Sequence, residues 1–511
     1  MSLTLTLPEL QAHPADPPET RPAKVTEWLS SLARRDPVDA ARAMAHTLAS
    51  TNRMAMNDSR RLDVAERYWS TAQELWPLLE RRFAHASHPL TGEALACARS
   101  VLGLSQELAV AYKHLLATEA DRRMAIGGSK QLLLVLQRAL DSIARIIIDS
   151  YVAYLPVPAK TWLDAHRIYA FARDRTLHLD ANVTDGVQAT PERSYLQVLL
   201  LALANPYGLT AGQLATVLRY LQTHAHFAKL TDVQPVHRMA KAVAIIPVGH
   251  DFPPFSANKG GAIDGRKMYL LTYDLAFEIQ EQLRALDAGA DVPVGIARDN
   301  ASRRAYGALL RRLLKQWAIP PARQFNRIPS HAPVSSCAGL GEVVRYARAA
   351  ADRAAGTATA SPTTWQCEVI NHTPAGYALR QNEVRGTSMR IGELVAIGIE
   401  GRDALHVAIV RWFRNTLEAH ALEFGCELLS DAPQYALAAP EGLGNDARVA
   451  ALVLPPSARQ QDAPQIVVPL NVFRAEQAIT VESVGKTMFV VLTKLIEQGA
   501  GFEIYEFIAV G

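Results

Sequence analysis

The chain has 511 residues, enough for about three domains at the usual 100 to 200 residues each. Hydrophobic residues make up 49% and charged residues 20%, which excludes a disordered, collagenous or coiled-coil chain and predicts a soluble globular one. The 53 basic and 50 acidic residues leave a formal charge of +3, too even for a duplex-binding surface, so no DNA partner is expected.

Residues 1–25 carry Pro8, Pro14, Pro17, Pro18 and Pro22 and lack a basic start, so they read as a flexible tail and not as a signal peptide. From 26 to 180 apolar residues return at spacings of three and four, the pattern of an all-α domain. Asp36 before Pro37 is a helix-start signature, because the carboxylate caps exposed amides and proline suits the first helical position. Further helices are expected at 59–84, 91–118, 128–154 and 160–175. The segment 128–154 is apolar on most faces and is expected at the centre of the domain. Arg138, Asp141, Arg145 and Asp149 lie within Leu132 to Leu155, four charges that an ordinary membrane helix does not carry, and no transmembrane segment is expected anywhere.

Residues 181–317 read as an α+β middle region, with strands at Ala242 to Val248 and from Met268, and helices at 274–287 and 301–317. After Pro320 and Pro321 come brief strands separated by Gly, Asn and Pro, a small antiparallel barrel assigned to 318–440. An alanine-rich run, Ala347 to Ala360, interrupts it within an insertion at 340–362 and reads as a helix or a tethering loop. The last stretch, 441–511, is a C-terminal β extension that either lengthens the first barrel or packs beside it. The fold class is therefore α+β multidomain, an all-α N-terminal part followed by an antiparallel β-barrel with an additional β unit.

Cys97, Cys337, Cys367 and Cys426 lie at least 30 positions apart, offer no metal or redox pair, and suit a reducing cytoplasm. His224 and His226 fall on different faces of a helix, so no metal is predicted. No H-E-x-x-H, G-x-S-x-G or strand-linked G-x-G-x-x-G occurs, and the chain is not expected to be an enzyme. Gly485-Lys486-Thr487 imitates the end of a phosphate-binding loop, but Thr480 stands where the first glycine belongs and a strand pattern follows. Of the basic residues 42 are Arg and 11 are Lys, a bias that fits either planar anion recognition or the codon habit of a GC-rich genome.

Two short motifs remain, Arg323-Gln-Phe-Asn-Arg327 just before the barrel strands and Asn371-His-Thr373-Pro-Ala-Gly376 at a strand, turn, strand junction. In this order they resemble the PilZ domain family, small β-barrels that bind cyclic di-GMP through an R-x-x-x-R loop and a [DN]-x-S-x-x-G turn. The likeness spans roughly 320–432 and continues in Ile391-Gly-Glu-Leu-Val, in Val407 to Trp412 and in Leu422 to Leu429. The chain departs from the pattern in having Thr373 for serine and a longer gap between the motifs.

What the resemblance implies has a clear chemistry. The guanine O6 and N7 acceptors meet an arginine fork bidentately, so Arg323 and Arg327 are the expected primary binders, and lysine should not replace them. Asn371 offers a donor and an acceptor to a guanine edge, Thr373 a hydroxyl to the ligand or to the turn, and Gly376 a positive φ with close backbone approach. No cofactor is implied beyond the ligand cyclic di-GMP. The resulting expectation is a cytoplasmic bacterial receptor that relays the messenger through its helical domain to an unidentified protein partner or a second copy, with Pro320-Pro321 as pivot. The alternative is a ligand-free PilZ-like scaffold acting only through protein contacts.

Overall fold

The computed structural model describes residues 3–11, 17–121, 128–184, 187–235, 242–259, 264–318, 325–354, 362–382, 389–399, 405–416, 421–441, 448–456, 463–483 and 485–510. The chain divides into two units, one comprising Met1–Ala86 and Leu90–Ala322, the other Ser87–Pro89 and Arg323–Gly511.

In the first unit the helix Pro37–Asn52 starts as its sequence requires: the Val38 N–H donates to Asp36 Oδ1 at 2.8 Å and Pro37 occupies the first turn. The helices Asp58–Phe83, Gly92–Asp121, Gly128–Val152 and Thr161–Asp174 follow. Gly128–Val152 packs against Gly92–Asp121, Thr161–Asp174 and Pro191–Leu203, burying Leu136, Leu140, Ile143 and Ile147. Its charges are met by neighbours. Arg138 Nη2 reaches Glu66 Oε2 at 3.0 Å with its guanidinium 4.5 Å from the Trp69 ring centre, and Arg145 Nε reaches Asp149 Oδ2 at 2.7 Å. Among the described residues one helical stretch, Gly92–Ala120, is long and apolar enough to cross a membrane; 61% of its most apolar window is buried inside the protein, as in a core helix.

Residues 3–11, expected as part of a flexible tail, are fastened to the helices. Thr6 N–H donates to Asp164 Oδ1 at 3.1 Å, and Lys113 Nζ donates to Asp164 Oδ2 at 2.8 Å and to the Thr6 carbonyl at 2.7 Å. The tail's other end is also structured, because the helix Pro22–Leu32 begins within it. The buried Lys113 and Asp164 charges need each other in a poorly solvated place, and the Thr6 backbone supplies the remaining partners.

The middle region adds a four-stranded antiparallel sheet in the order Lys229–Thr231, Lys267–Leu271, Val243–Pro247, Phe255–Ser256, with the helices Tyr273–Asp287 and Asn300–Trp317. Trp317 Nε1 donates to the Leu200 carbonyl at 2.9 Å, tying this part to the helix Pro191–Leu203. His224 ends the helix Ala211–His224 and stacks on Tyr220 at 4.1 Å between ring centres, whereas His226 lies in the 3-10 turn Ala225–Phe227 that follows, not on that helix, and meets Phe227 at 4.3 Å.

The second unit holds two closed six-stranded antiparallel barrels. In the first, neighbouring strands run Gly376–Gln381, Leu422–Ser430, Leu405–Asn415, Leu394–Ile399, Pro333–Ala338, Trp365–Thr373, and the last pairs back with Gly376–Gln381. The short strand Ile328–Pro329 adds to the edge of Trp365–Thr373. The second barrel runs Gln434–Pro440, Val449–Leu454, Gln465–Pro469, Phe502–Val510, Lys486–Gln498, Ala478–Ser483. The β extension thus closes on itself beside the first barrel. It recruits Gln434–Pro440, which the sequence reading placed in the first barrel, through pairing with Val449–Leu454 and Ala478–Ser483.

The insertion supplies the helix Leu340–Ala354. Its Val343, Val344 and Ala347 share one core with Leu394, Ala396, Val407 and Ile409 of the first barrel and with Leu452, Leu454, Val467, Phe502 and Ile504 of the second. Small alanines let the helix lie close to both curved sheets, so the insertion works as the layer between them. Gly485, at φ 69°, sits in the hairpin between Ala478–Ser483 and Lys486–Gln498, and no helix follows it.

Candidate functional site

Arg327 immediately precedes the strand Ile328–Pro329, whose residues pair with His372 and Asn371. Continuing that antiparallel register by one step sets Arg327 opposite Thr373. The end of the arginine motif and the start of the turn motif are therefore cross-strand neighbours, although 44 positions separate Arg327 from Asn371. Arg323, with the Pro320-Pro321 junction, lies outside the described residues. Arg327 is exposed, and its neighbours Phe325 and Ile328 leave 43% and 53% of their surfaces open.

The turn itself is a two-residue connection, Pro374-Ala375, between the paired Thr373 and Gly376. Thr373 Oγ1 accepts from the Ala375 N–H at 3.2 Å and points its hydroxyl at the Gly376 carbonyl at 3.5 Å. The Thr373 side chain thus braces the turn, which a serine hydroxyl could also do. Leu428 N–H donates to the Ala375 carbonyl at 2.9 Å and locks the turn to the neighbouring strand. Gly376 was expected to supply a positive φ and a close backbone approach; its φ is 159°, at the near-extended end of the positive range. The close approach is to the protein itself, because a Cβ there would run into the Cys426 carbonyl of the paired strand.

Asn371 is half-buried, and among the described residues its side-chain amide has no hydrogen-bond partner. It begins a cross-strand row, because Asn371 pairs with Ala378, Ala378 with Gly425 and Gly425 with Trp412. Directly paired residues share a face of the sheet. The row therefore passes over the small Ala378 and then Gly425, where the Trp412 indole takes the place a side chain would fill. Beside it runs a charged row in which Arg380 Nη2 and Arg414 Nη2 hold the two oxygens of Glu423 at 2.6 and 2.7 Å. Burial alone would raise the Glu423 carboxyl, but the hydrogen bonds from the two arginines hold it below its ordinary value.

The adjacent row on the turn side, His372, Tyr377, Cys426, faces the other way. There Tyr377 Oη and His406 Nδ1 are 2.8 Å apart, and the His372 and Tyr377 ring centres are 6.2 Å apart. Burial pushes the Tyr377 hydroxyl up and the His406 imidazole down, with the Asp431 charge opposing the shift at His406. Trp412, Tyr377 and His406 were not among the sequence-predicted site residues. Trp412 was read only as strand, and the sole signal for Tyr377 was its position next to Gly376.

Residues 23–236 match the family model described as the N-terminal domain of the cyclic-di-GMP receptor FimW. Residues 343–434 match the FimW middle PilZ domain and residues 438–510 the FimW C-terminal beta-barrel domain. The matched PilZ range begins after the arginine pair. Among curated proteins, the cyclic-di-GMP receptor FimW of Pseudomonas aeruginosa is 22% identical over 489 residues, covering 81% of this chain and 78% of the relative.

Proposed function

We propose that this chain, a member of the PilZ domain family by its residues 343–434, is a cyclic di-GMP receptor and acts by binding, not by catalysis. The observation that carries the reading is the pairing of Ile328–Pro329 with Asn371 and His372, which brings Arg327 to the turn motif. Arg327 and Arg323 bind the guanine O6 and N7 edges or the phosphodiester oxygens with their planar forks. Asn371, whose amide has no hydrogen-bond partner among the described residues, reads a second guanine edge. A flat base approaches the sheet beside Asn371 over the small Ala378, bounded by the Trp412 indole that covers Gly425, with Gly376 keeping the turn close. Thr373 holds the turn in place and turns its hydroxyl to the ligand only as a secondary partner.

Loss of a bidentate arginine removes about 1 to 3 kcal/mol, roughly tenfold to a hundredfold in affinity. Calorimetric titration of cyclic di-GMP into the full chain and into its Arg327→Ala variant tests the reading. Saturable binding that weakens by that factor supports it; equal affinity in both, or no heat in either, overturns it. The helical first unit is read as the part that passes the signal to a protein partner or to a second copy of the chain. Sedimentation velocity with and without cyclic di-GMP tests the second-copy version.

A further inference from the structure

A second cationic cleft lies in the first unit, built on the end of the helix Thr161–Asp174. It encloses about 370 Å³ and is lined by Arg167, Phe171, Asp174, Arg175, Val248 and Arg266, with the N-terminal segment at Leu3 and Thr4 forming part of its wall. That volume falls in the range of small-molecule sites, about 300 to 1,000 Å³.

Three guanidiniums face one carboxylate here, and each is held in a defined place. Asp174 takes Arg266 bidentately, Nη1 to Oδ2 at 3.0 Å and Nη2 to Oδ1 at 2.9 Å, so this pair is neutral. Arg167 Nη1 donates to the Thr4 carbonyl at 2.8 Å, which spends one of its five N–H groups and none of its charge. The Arg175 guanidinium lies 5.1 Å from the centre of the Phe171 ring, and among the described residues its side chain has no ion pair or hydrogen bond. Arg175 is exposed, so one face of its plane rests on Phe171 while the other is open. Two positive charges thus remain uncompensated beside an apolar floor of Phe171 and Val248.

We propose that this cleft binds a small phosphorylated ligand carrying a flat ring, of mononucleotide size. Arg167 meets the phosphate with its remaining donors, and the ring stacks on the open face of Arg175, which Phe171 supports from below. Arg266, oriented by Asp174, turns its outer edge to the same phosphate. The site is separate from the barrel and does not depend on the cyclic di-GMP reading.

The test uses the full chain carrying Arg327→Ala, which weakens binding at the barrel by roughly tenfold to a hundredfold. AMP, GMP, guanosine and inorganic phosphate are each titrated calorimetrically into this protein, and the nucleotides also into versions that add Arg167→Ala or Arg175→Gln. The expected result is saturable binding of at least one nucleotide, with guanosine and phosphate each weaker by about tenfold or more. Each added substitution weakens the nucleotide by about tenfold or more while the melting temperature stays the same. Absence of binding by both nucleotides overturns the proposal. So does equal affinity for inorganic phosphate, or unchanged nucleotide affinity in both variants.

Discussion

Arg411, on a strand of the first barrel, closes on Glu497, on a strand of the second, with both terminal nitrogens, Nη2 lying 2.8 Å from Oε2. The same guanidinium reaches Glu427 through Nε at 2.6 Å. The pair of carboxylates holds Arg411 well above its ordinary value even though burial works against the charge. Because the partners are partly open to solvent, Arg411→Ala is expected to cost about 1 to 2 kcal/mol, below the value of a fully buried bidentate pair. Urea denaturation reads this directly, and Glu497→Gln should cost less, since Glu427 still neutralises the arginine.

The core shared by the two barrels makes a stronger demand. Phe502 is fully buried among Val343, Val344 and Leu394 of the common cluster. Phe502→Ala should destabilise the unit by about 3 to 5 kcal/mol through lost burial and the cavity left behind. Both barrels should then lose structure in one transition, seen as coincident unfolding curves from a Trp412-sensitive fluorescence signal and from far-ultraviolet dichroism.

Asn371 and Gly376 should separate affinity from stability. Asn371→Ala removes a side chain with no protein hydrogen bond among the described residues, so stability should change by less than about 0.5 kcal/mol while cyclic di-GMP binding weakens by about tenfold. Gly376→Ala places a methyl group against the Cys426 carbonyl and should lower stability by about 1 to 3 kcal/mol. Thermal melts and calorimetry on the two variants check this contrast, and a large melting shift in Asn371→Ala would contradict it.

Buried histidines set an acid limit on the first unit. His166 is fully buried, its Nε2 2.7 Å from the Phe252 carbonyl and its Nδ1 2.6 Å from the Tyr195 hydroxyl, and burial pushes it down to about 4. The carbonyl can only accept, so Nε2 carries the proton and Nδ1 accepts from Tyr195. A depressed histidine binds its proton more readily in the unfolded chain, so its contribution is complete above about 6.5 and is lost as the pH falls toward 4. His114, lowered to about 4 by burial and by the Arg61 charge, acts in the same direction. Between pH 7 and 5 His166 should remove about 2 kcal/mol, at about 1.4 kcal/mol per pH unit, and the less deeply buried His114 a smaller amount. Urea midpoints at the two pH values should show a smaller loss in His166→Gln, and an unchanged loss would contradict the assignment.

Local signals were readable wherever a residue's conformation depends on its close neighbours in sequence. Asp36-Pro37 predicted its helix start because capping uses amides two and three residues away, and the helices near 58, 92, 128 and 161 followed from apolar spacing. The strand Pro333–Ala338 escaped notice because Ser335, Ser336 and Ala338 lack the β-branched and aromatic character that marks strands. The tail was misjudged for a related reason. Its prolines describe only local stiffness, while its anchor is the buried Lys113 and Asp164 pair, more than a hundred residues away in sequence.

By itself the sequence determined the α-then-β division, the separate strands and the two motifs whose residue types suit a cyclic dinucleotide. Tertiary structure alone decided that Gln434–Pro440 belongs to the second barrel, that the alanine-rich helix is the layer between two sheets, and that Trp412 stands at the far end of the row that Asn371 begins. Strand partners and shared cores are chosen by contacts between distant segments, and a strand's own pattern shows which faces it buries but not against which neighbour. For that reason Arg327 and Thr373 could be named as candidates from sequence, whereas the register that sets one opposite the other had to come from the fold.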